Sequence, residues 1–248
     1  MKERIQKVLA REGLGSRREI ESWIRAGRLM LNSRVAELGQ LIDHQDKVLL
    51  DRRAVALSPV RVVPLLGLMY HKPEGQICTR KDPEGRDTVF THLPELPLGR
   101  WVAVGRLDIN TSGIILFTTD GDLANSLMHP RFEVSRVYIS RIFGEATDAQ
   151  KQALLDGVEI DGERMAFDAI QTMEGEGTSR WYRVTLREGK NREVRKLWES
   201  QGLRVSRLMR VKYGPIDLPK SVRPGETKEL SPAQMNLLRE AVMPKVPS

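Results

Sequence analysis

The sequence predicts an α+β protein: a small αα-plus-β module at the N-terminus, then a larger domain built on a mainly antiparallel mixed sheet flanked by helices. Three observations carry this expectation. Two apolar stripes at helical spacing stand before residue 25, and short alternating segments follow them. A proline-bearing stretch at Ser58-Pro59 and Pro64 separates these from the rest. Beyond it, strand-like runs outnumber helical ones without the regular alternation of a parallel βαβ fold.

In the front module, Ile5, Val8 and Leu9 fall at i, i+3 and i+4 and make the apolar stripe of a first helix. Gly13 and Gly15 stop it. Ser16-Arg17-Arg18-Glu19 has the form of a capping box, in which the Ser16 hydroxyl accepts the Glu19 amide while the Glu19 carboxylate reaches back. Ile20, Trp23 and Ile24 supply the second helix's buried face, and Gly27 closes it. Leu29 with Leu31 and Val48 with Leu50 suit short strands, with Asn32-Ser33 as a turn. The expected boundaries are 1–53 for the module, 54–64 for a linker, 65–243 for the larger domain and 244–248 for a tail.

In the larger domain, β-branched and aromatic content favours strands at Leu65–Tyr70, Trp101–Val104, Ile114–Thr118, Val137–Phe143 and Trp181–Arg187. Helical spacing appears at Asp122–Met128, Asp148–Leu155, Asn191–Gln201 and Pro232–Val242. Gly175-Glu176-Gly177, flanked by acids, suits a hairpin loop. No repeat with a period of tens of residues is present.

Composition narrows the class. A hydrophobic content of 40% suffices for a packed core. No apolar run has bilayer length and Met1-Lys2-Glu3-Arg4 opens no secretory signal, so no membrane role and a cytoplasmic location are expected. One cysteine, Cys78, excludes a disulfide framework, and with four scattered histidines it forms no metal cage. Walker, GxGxxG and GxSxG patterns are missing. The chain is expected to bind no metal and no cofactor, which leaves acid, base or nucleophile chemistry by its own side chains. Forty Lys+Arg against 33 Asp+Glu gives +7, an excess that suits a polyanionic partner and equally an ordinary solvated surface.

The front module is more basic than the rest, with 12 Lys/Arg and 8 Asp/Glu over residues 1–53, a net of +4. Lys7, Arg11, Arg17, Arg18, Arg25 and Arg28 lie off its two apolar stripes. Arginines at a helix start suit phosphate, because guanidinium and helix N-terminus act together; pairs such as Glu21–Arg25 would instead make a solvated face. From Arg4 to about Leu50, Leu-Gly-Ser-Arg-Arg-Glu-Ile-Glu and Ile-Arg-Ala-Gly-Arg resemble the small RNA-binding domain named after ribosomal small-subunit protein four. That resemblance implies contact of these basic residues with structured RNA.

Gly105-Arg106-Leu107-Asp108-Ile109-Asn110-Thr111-Ser112-Gly113 joins two apolar strand-like runs. Such a loop can hold Asp108 beside a rigid sheet, partly desolvated, although a turn aspartate capping its own backbone is the commoner fate. The pattern Gly-Arg-Leu-Asp-x-x-Thr-x-Gly-Ile-Ile resembles the active-site signature of pseudouridine synthases of the RsuA and RluB/E/F group. Tyr70-His71-Lys72-Pro73-Glu74-Gly75, Arg136-Val137-Tyr138, the run Leu186–Lys196 and Val205-Ser206-Arg207-Leu208-Met209-Arg210 resemble further motifs in that family's order. Within the group, Lys72–Gly75, Thr79–Arg86 and Asn191–Arg195 are most like the large-subunit enzymes.

The resemblance implies isomerisation of a uridine in a structured stem-loop of large-subunit (23S) ribosomal RNA, by a monomer with no cofactor. It makes Asp108 the catalytic carboxylate, either attacking ribose C1′ or abstracting a ribose proton. Arg195 would hold that carboxylate ionised, and Tyr138 would stack on the uracil. Leu107 and Leu208 would line the pocket, Arg106 would contact backbone phosphate or help extrude the nucleotide, and Lys190 and Arg192 would add positive potential. Without the resemblance, Arg195 suits a helix-surface salt bridge, Tyr138 a half-buried strand tyrosine and Leu208 a core leucine. Lys190 stands where the family often has arginine and lacks the bidentate fork. The long basic tail of some relatives has no counterpart before Ser248. Two other classes stay open: a non-catalytic RNA-binding or assembly factor, and a carboxylate-pair glycosidase.

Overall fold

The structure is a computed structural model that describes residues 2–57, 65–173 and 178–243. Three parts of the sequence reading lie outside the described residues: the linker from 58 to 64 with its three named positions, the loop at Gly175-Glu176-Gly177, and the tail 244–248. No described helix is long and apolar enough to cross a membrane. The chain divides into two compact units, Met1–Leu65 with Glu95–Trp101, and Leu66–Pro94 with Val102–Ser248.

The first unit contains β1 (Glu3–Arg4), α1 (Ile5–Arg11), α2 (Arg17–Arg25), β2 (Leu29–Leu31), β3 (Arg34–Val35), β4 (Leu41–Ile42), β5 (Val48–Leu50) and β6 (Arg53–Val55). The capping box at Ser16 and Glu19 is present, both reciprocal hydrogen bonds included. Ile5, Leu9, Ile20 and Leu29, on the predicted stripes and first strand, are fully buried in its core, joined there by Ile42 of β4. β3, β2, β5 and β6 form an antiparallel sheet. Asn32 and Ser33 both have positive φ, 48° and 70°, as a two-residue primed turn between twisted strands requires. Asp51 and Arg52 repeat that geometry, so Ala54 and Val55, expected at the start of the linker, pair with β5 as part of β6.

The second unit opens with β7 (Gly67–Lys72), β8 (Val102–Val104), β9 (Ser112–Thr118), α3 (Gly121–Met128) and β10 (Arg136–Phe143). It continues with α4 (Asp148–Asp156), β11 (Val158–Ile160), β12 (Glu163–Met165), β13 (Ala169–Met173), β14 (Ser179–Leu186) and α5 (Glu193–Ser200). β15 (Val205–Tyr213), β16 (Ile216–Asp217), β17 (Thr227–Glu229) and α6 (Pro232–Glu240) complete it. The large sheet has the order β13-β14-β10-β15-β9-β7-β17, with β16 added to β15 and β8 to β9. Its one parallel pairing among the described strands is β9 with β15; the rest are antiparallel, as the absence of βαβ alternation predicts.

Two packing regions hold this sheet. Met69, Ile114 and Leu116 pack with α3 through Leu123 and Leu127, and with α6 through Met235. In the other half, the Trp198 ring of α5 lies 5.0 Å from the Tyr182 ring and 5.5 Å from the Phe167 ring. Its Nε1 donates to Ser140 Oγ at 3.1 Å, so the buried indole leaves no donor unpaired. The strands from β7, β9, β10 and β15 that meet between these two regions carry the candidate site.

Candidate active site

The loop from β8 to β9 has every carbonyl from Arg106 to Thr111 claimed by a donor. Arg210 Nη1 reaches the Arg106 oxygen at 3.5 Å, and the Cys78 thiol donates to the Leu107 oxygen at 3.2 Å while accepting the Leu107 amide at 3.3 Å. Thr111 N–H donates to the Asp108 oxygen at 3.0 Å, a turn inside the loop. The Gly75 amide at 2.8 Å and Lys72 Nζ at 3.3 Å share the Ile109 oxygen. Arg195 Nη2 donates to the Asn110 oxygen at 2.7 Å and Lys72 Nζ to the Thr111 oxygen at 2.8 Å. Loops usually leave such groups to water. Here the tail of β7, the chain after it, α5 and β15 hold the backbone on both sides of Asp108.

The carboxylate itself is left available. Among the described residues, half-buried Asp108 has no side-chain hydrogen bond and no ion pair, yet two buried cations feel its charge. Burial pushes Lys72 below the ordinary lysine value, and Cys78, Glu74 and Asp108 oppose that shift. Burial likewise pushes Arg195 down, Arg192 adds to the effect, and Asp108 opposes it. Arg195 therefore acts on Asp108 at range. Its direct partners are the Asn110 and Val205 carbonyls.

Gly113 ends this loop at φ +110°, and a Cβ there would lie 2.2 Å from the Arg210 oxygen and 2.6 Å from its nitrogen. Only glycine lets β9 approach β15 so closely, through the parallel pairs Met209–Ser112 and Arg210–Gly113. That approach brings Leu208 to the loop, where its carbonyl faces Ser112 Oγ at 3.4 Å. Leu208 is buried, directly opposite Ser140 of β10. Tyr138 stands opposite Arg210 on the same pair of strands, and the Arg210 guanidinium carbon is 6.0 Å from its ring centroid. The buried Tyr138 has no hydroxyl partner among the described residues. One guanidinium thus touches both the Tyr138 ring and the loop that carries Asp108.

Of the residues expected at this site, the structure brings together Asp108, Leu107, Arg195, Leu208 and Tyr138, with Arg106 exposed on the rim. Lys190 is engaged elsewhere: Nζ lies 2.7 Å from a Glu188 oxygen, 3.7 Å from one of Glu163, and donates to the Arg164 carbonyl at 2.8 Å. Arg192 caps α5 in the left-handed region at φ 53°, exposed and close enough to depress Arg195. Sequence reasoning missed Lys72, Cys78 and Arg210 as supports, and Arg136 as well, whose Nη1 donates to the Val134, Arg187 and Glu188 carbonyls. The signal was a basic residue closing the mostly apolar β7 in the case of Lys72; Arg136 and Arg210 share their strands with other basic residues, so no such signal marked them. Among the described residues no three His, Cys, Asp or Glu side chains group as a metal site needs.

In the first unit, the basic residues have acidic neighbours. Lys7 and Arg11 share Glu3, whose carboxyl stays below the usual range although burial opposes it. Arg28 forms a two-bonded pair with Asp51, and Arg25 lies 3.9 Å from Glu21. Arg17 and Arg18 open α2, and Arg100, which the sequence did not single out, is lowered by burial with Glu19 opposing and Arg17 assisting.

Comparison with known proteins gives two family matches, an RNA pseudouridylate synthase family over residues 67–200 and an S4 domain over residues 3–48. The chain is 52% identical over 244 residues to ribosomal large subunit pseudouridine synthase B of Escherichia coli (strain K12), covering 98% of this chain and 84% of that one. It is 51% identical over 245 residues to the protein of the same name from Pseudomonas aeruginosa, covering 97% of this chain and 62% of the other. A crystal structure of a pseudouridylate synthase aligns with TM-score 0.66 at 21% identity, over 95% of this chain and 99% of that chain, which is a likeness of fold.

Proposed function

The chain belongs to the RNA pseudouridylate synthase family, with an S4 domain at its N-terminus, and from that premise we propose that it converts one specific uridine of large-subunit ribosomal RNA to pseudouridine, with Asp108 as the catalytic carboxylate and no cofactor. The observation that carries the reading is the Asp108 loop: its carbonyls from Arg106 to Thr111 are all hydrogen-bonded while its carboxylate is unclaimed. A preorganised group of this kind loses little in reorganisation when a substrate arrives.

The reaction breaks the N1–C1′ bond, turns the uracil and joins C1′ to C5; the C5 proton leaves to solvent and N1 gains one. Asp108 acts on the ribose, either adding to C1′ or removing a ribose proton, and in both cases it must be ionised. Arg195 and Lys72 supply the positive potential that favours this, while they hold the loop by its carbonyls. Tyr138 offers an aromatic face for a base taken out of its stack, and Leu208 an apolar wall for the detached uracil. The front module, with Arg17, Arg18 and their neighbours, docks the stem-loop.

Release of tritium from C5-labelled ribosomal RNA tests this directly. Wild-type protein should release it and Asp108→Asn should not. No release by wild type would favour a non-catalytic RNA-binding factor, equal release by the Asn variant would remove Asp108 from the chemistry, and free uracil as product would favour a glycosidase.

A further inference from the structure

We propose that the outward face of β13, β14, β10 and β15 is a second RNA-binding surface, separate from the Asp108 pocket, which takes unpaired ribosomal RNA flanking the target. It rests on the reading that the substrate is ribosomal RNA. In a sheet, directly paired residues share a face and neighbours along a strand alternate. Arg141 pairs with Trp181 on one side and Arg207 on the other, and Ile139 pairs with Arg183 and Met209. None of these six is buried. The residues between them, Tyr138, Ser140 and Ile142 of β10 with Tyr182 and Val184 of β14, are all buried. The pocket that uses Tyr138 is therefore on the opposite side of the same strand.

The chemistry of this face is one-sided. Arg141 lies 5.9 Å from the Trp181 ring centroid, and Arg204 lies 5.9 Å from that of Phe143, which is 52% exposed. Arg141, Arg183, Arg204 and Arg207 have no carboxylate partner among the described residues; the neighbouring Arg180 does, Glu145 at 3.5 Å. Arg141 Nε is buried without a partner. No residue on this face of the four strands is acidic. A solvated sheet face normally interleaves both signs with small polar residues. Arginines beside exposed aromatic rings instead match phosphates with unstacked bases between them, since every base has a face to stack. Duplex RNA would leave the rings unused.

The test is binding of the full chain to protein-free large-subunit ribosomal RNA across a salt titration, with tritium release at saturating RNA measured beside it. Arg183→Ala with Arg207→Ala should weaken binding roughly tenfold and make the slope of log affinity against log salt shallower by about 2, one per arginine. Trp181→Ala should weaken binding with the slope unchanged, and Arg183→Lys with Arg207→Lys should keep the slope. The maximal rate should stay at the wild-type value in each. Unchanged affinity and slope for the alanine pair would overturn the proposal. So would unchanged RNA binding with lost co-sedimentation on ribosomal precursor particles, because the occupant would then be a protein. Repeating the titration in the Asp108→Asn background separates the two claims, since binding needs no turnover.

Discussion

At the scale of single residues, the second unit keeps charges where burial disfavours them and uses each for backbone. Lys72 is fully buried and its ammonium donates to the carbonyls of Pro73, Ile109 and Thr111. Removing it leaves the Pro73 and Thr111 oxygens unpaired, the second of them three residues after Asp108, while Ile109 keeps the Gly75 amide. Lys72→Met should cost about 2 kcal/mol in urea unfolding, the relief of a desolvated charge offsetting part of the loss. The tritium-release rate should fall on the order of 100-fold with the RNA concentration for half-maximal rate little changed, because position is lost and binding is not. A rate within a few-fold of wild type would show that Lys72 does not hold the loop. Glu193 gives a pH test. It is buried, its carboxylate accepts the Lys190 amide at 3.1 Å, and burial pushes its carboxyl up. A carboxyl raised in the folded state holds more protons there than when unfolded. Its contribution is thus present below the ordinary carboxylate range and lost as pH rises through the raised value. Glu193→Gln should remove that slope, so wild type should lose stability relative to the variant as pH rises from the carboxylate range toward neutrality. Denaturant midpoints at several pH values measure it, and the opposite trend would refute it.

At the scale of elements, what the sequence made legible followed from local rules. The Ser16 capping box, the stripes of α1 and α2, and the strands β7, β9, β10 and β14 were visible because periodicity and caps act over a few residues. β15 was not. In Val205–Tyr213 arginines and a serine alternate irregularly with apolar residues, since Arg210 is buried by tertiary partners rather than by its own character. The parallel pairing of β9 with β15 was equally hidden, because nothing local specifies a partner nearly a hundred residues away. Gly113 is its one local trace. Gly113→Ala should cost about 3 kcal/mol or more in urea unfolding and abolish tritium release, since backbone, not a flexible side chain, occupies the space. Gly162→Ala is the control: φ is +76° but nothing lies within 4 Å of the added Cβ, so the cost should be about 1 kcal/mol and the activity should persist. Equal costs at the two positions would show that the close approach does not matter.

At the scale of the whole molecule, the candidate site was legible only as an ordered set of motifs. Asp108 by itself was one loop carboxylate among 33 acidic residues, and its supports Lys72, Cys78 and Arg210 become visible only when strands far apart in sequence meet. The basic front was legible in composition, but its ion pairs were not. Lys7, Arg11, Arg25 and Arg28 each lie within 4 Å of a carboxylate, which lowers the local field without removing it. Exposed pairs of this kind hold by only about 0.2–1 kcal/mol, so phosphates can displace them. The helix start at Arg17 and Arg18 places two guanidinium groups at the N-terminal end of α2, and it is the best place to perturb. Arg17→Glu with Arg18→Glu reverses both charges while Ser16 and Glu19 keep the cap. Affinity for ribosomal RNA should fall at least tenfold and its salt slope flatten by about 2, with the maximal rate of tritium release unchanged once RNA saturates. A reduced maximal rate with unchanged affinity would mean that these arginines serve the chemistry and not the docking. Affinity and slope both unchanged would mean that they are solvated. Combined with the Arg183 and Arg207 pair, the two losses should add, because the two pairs stand in different units.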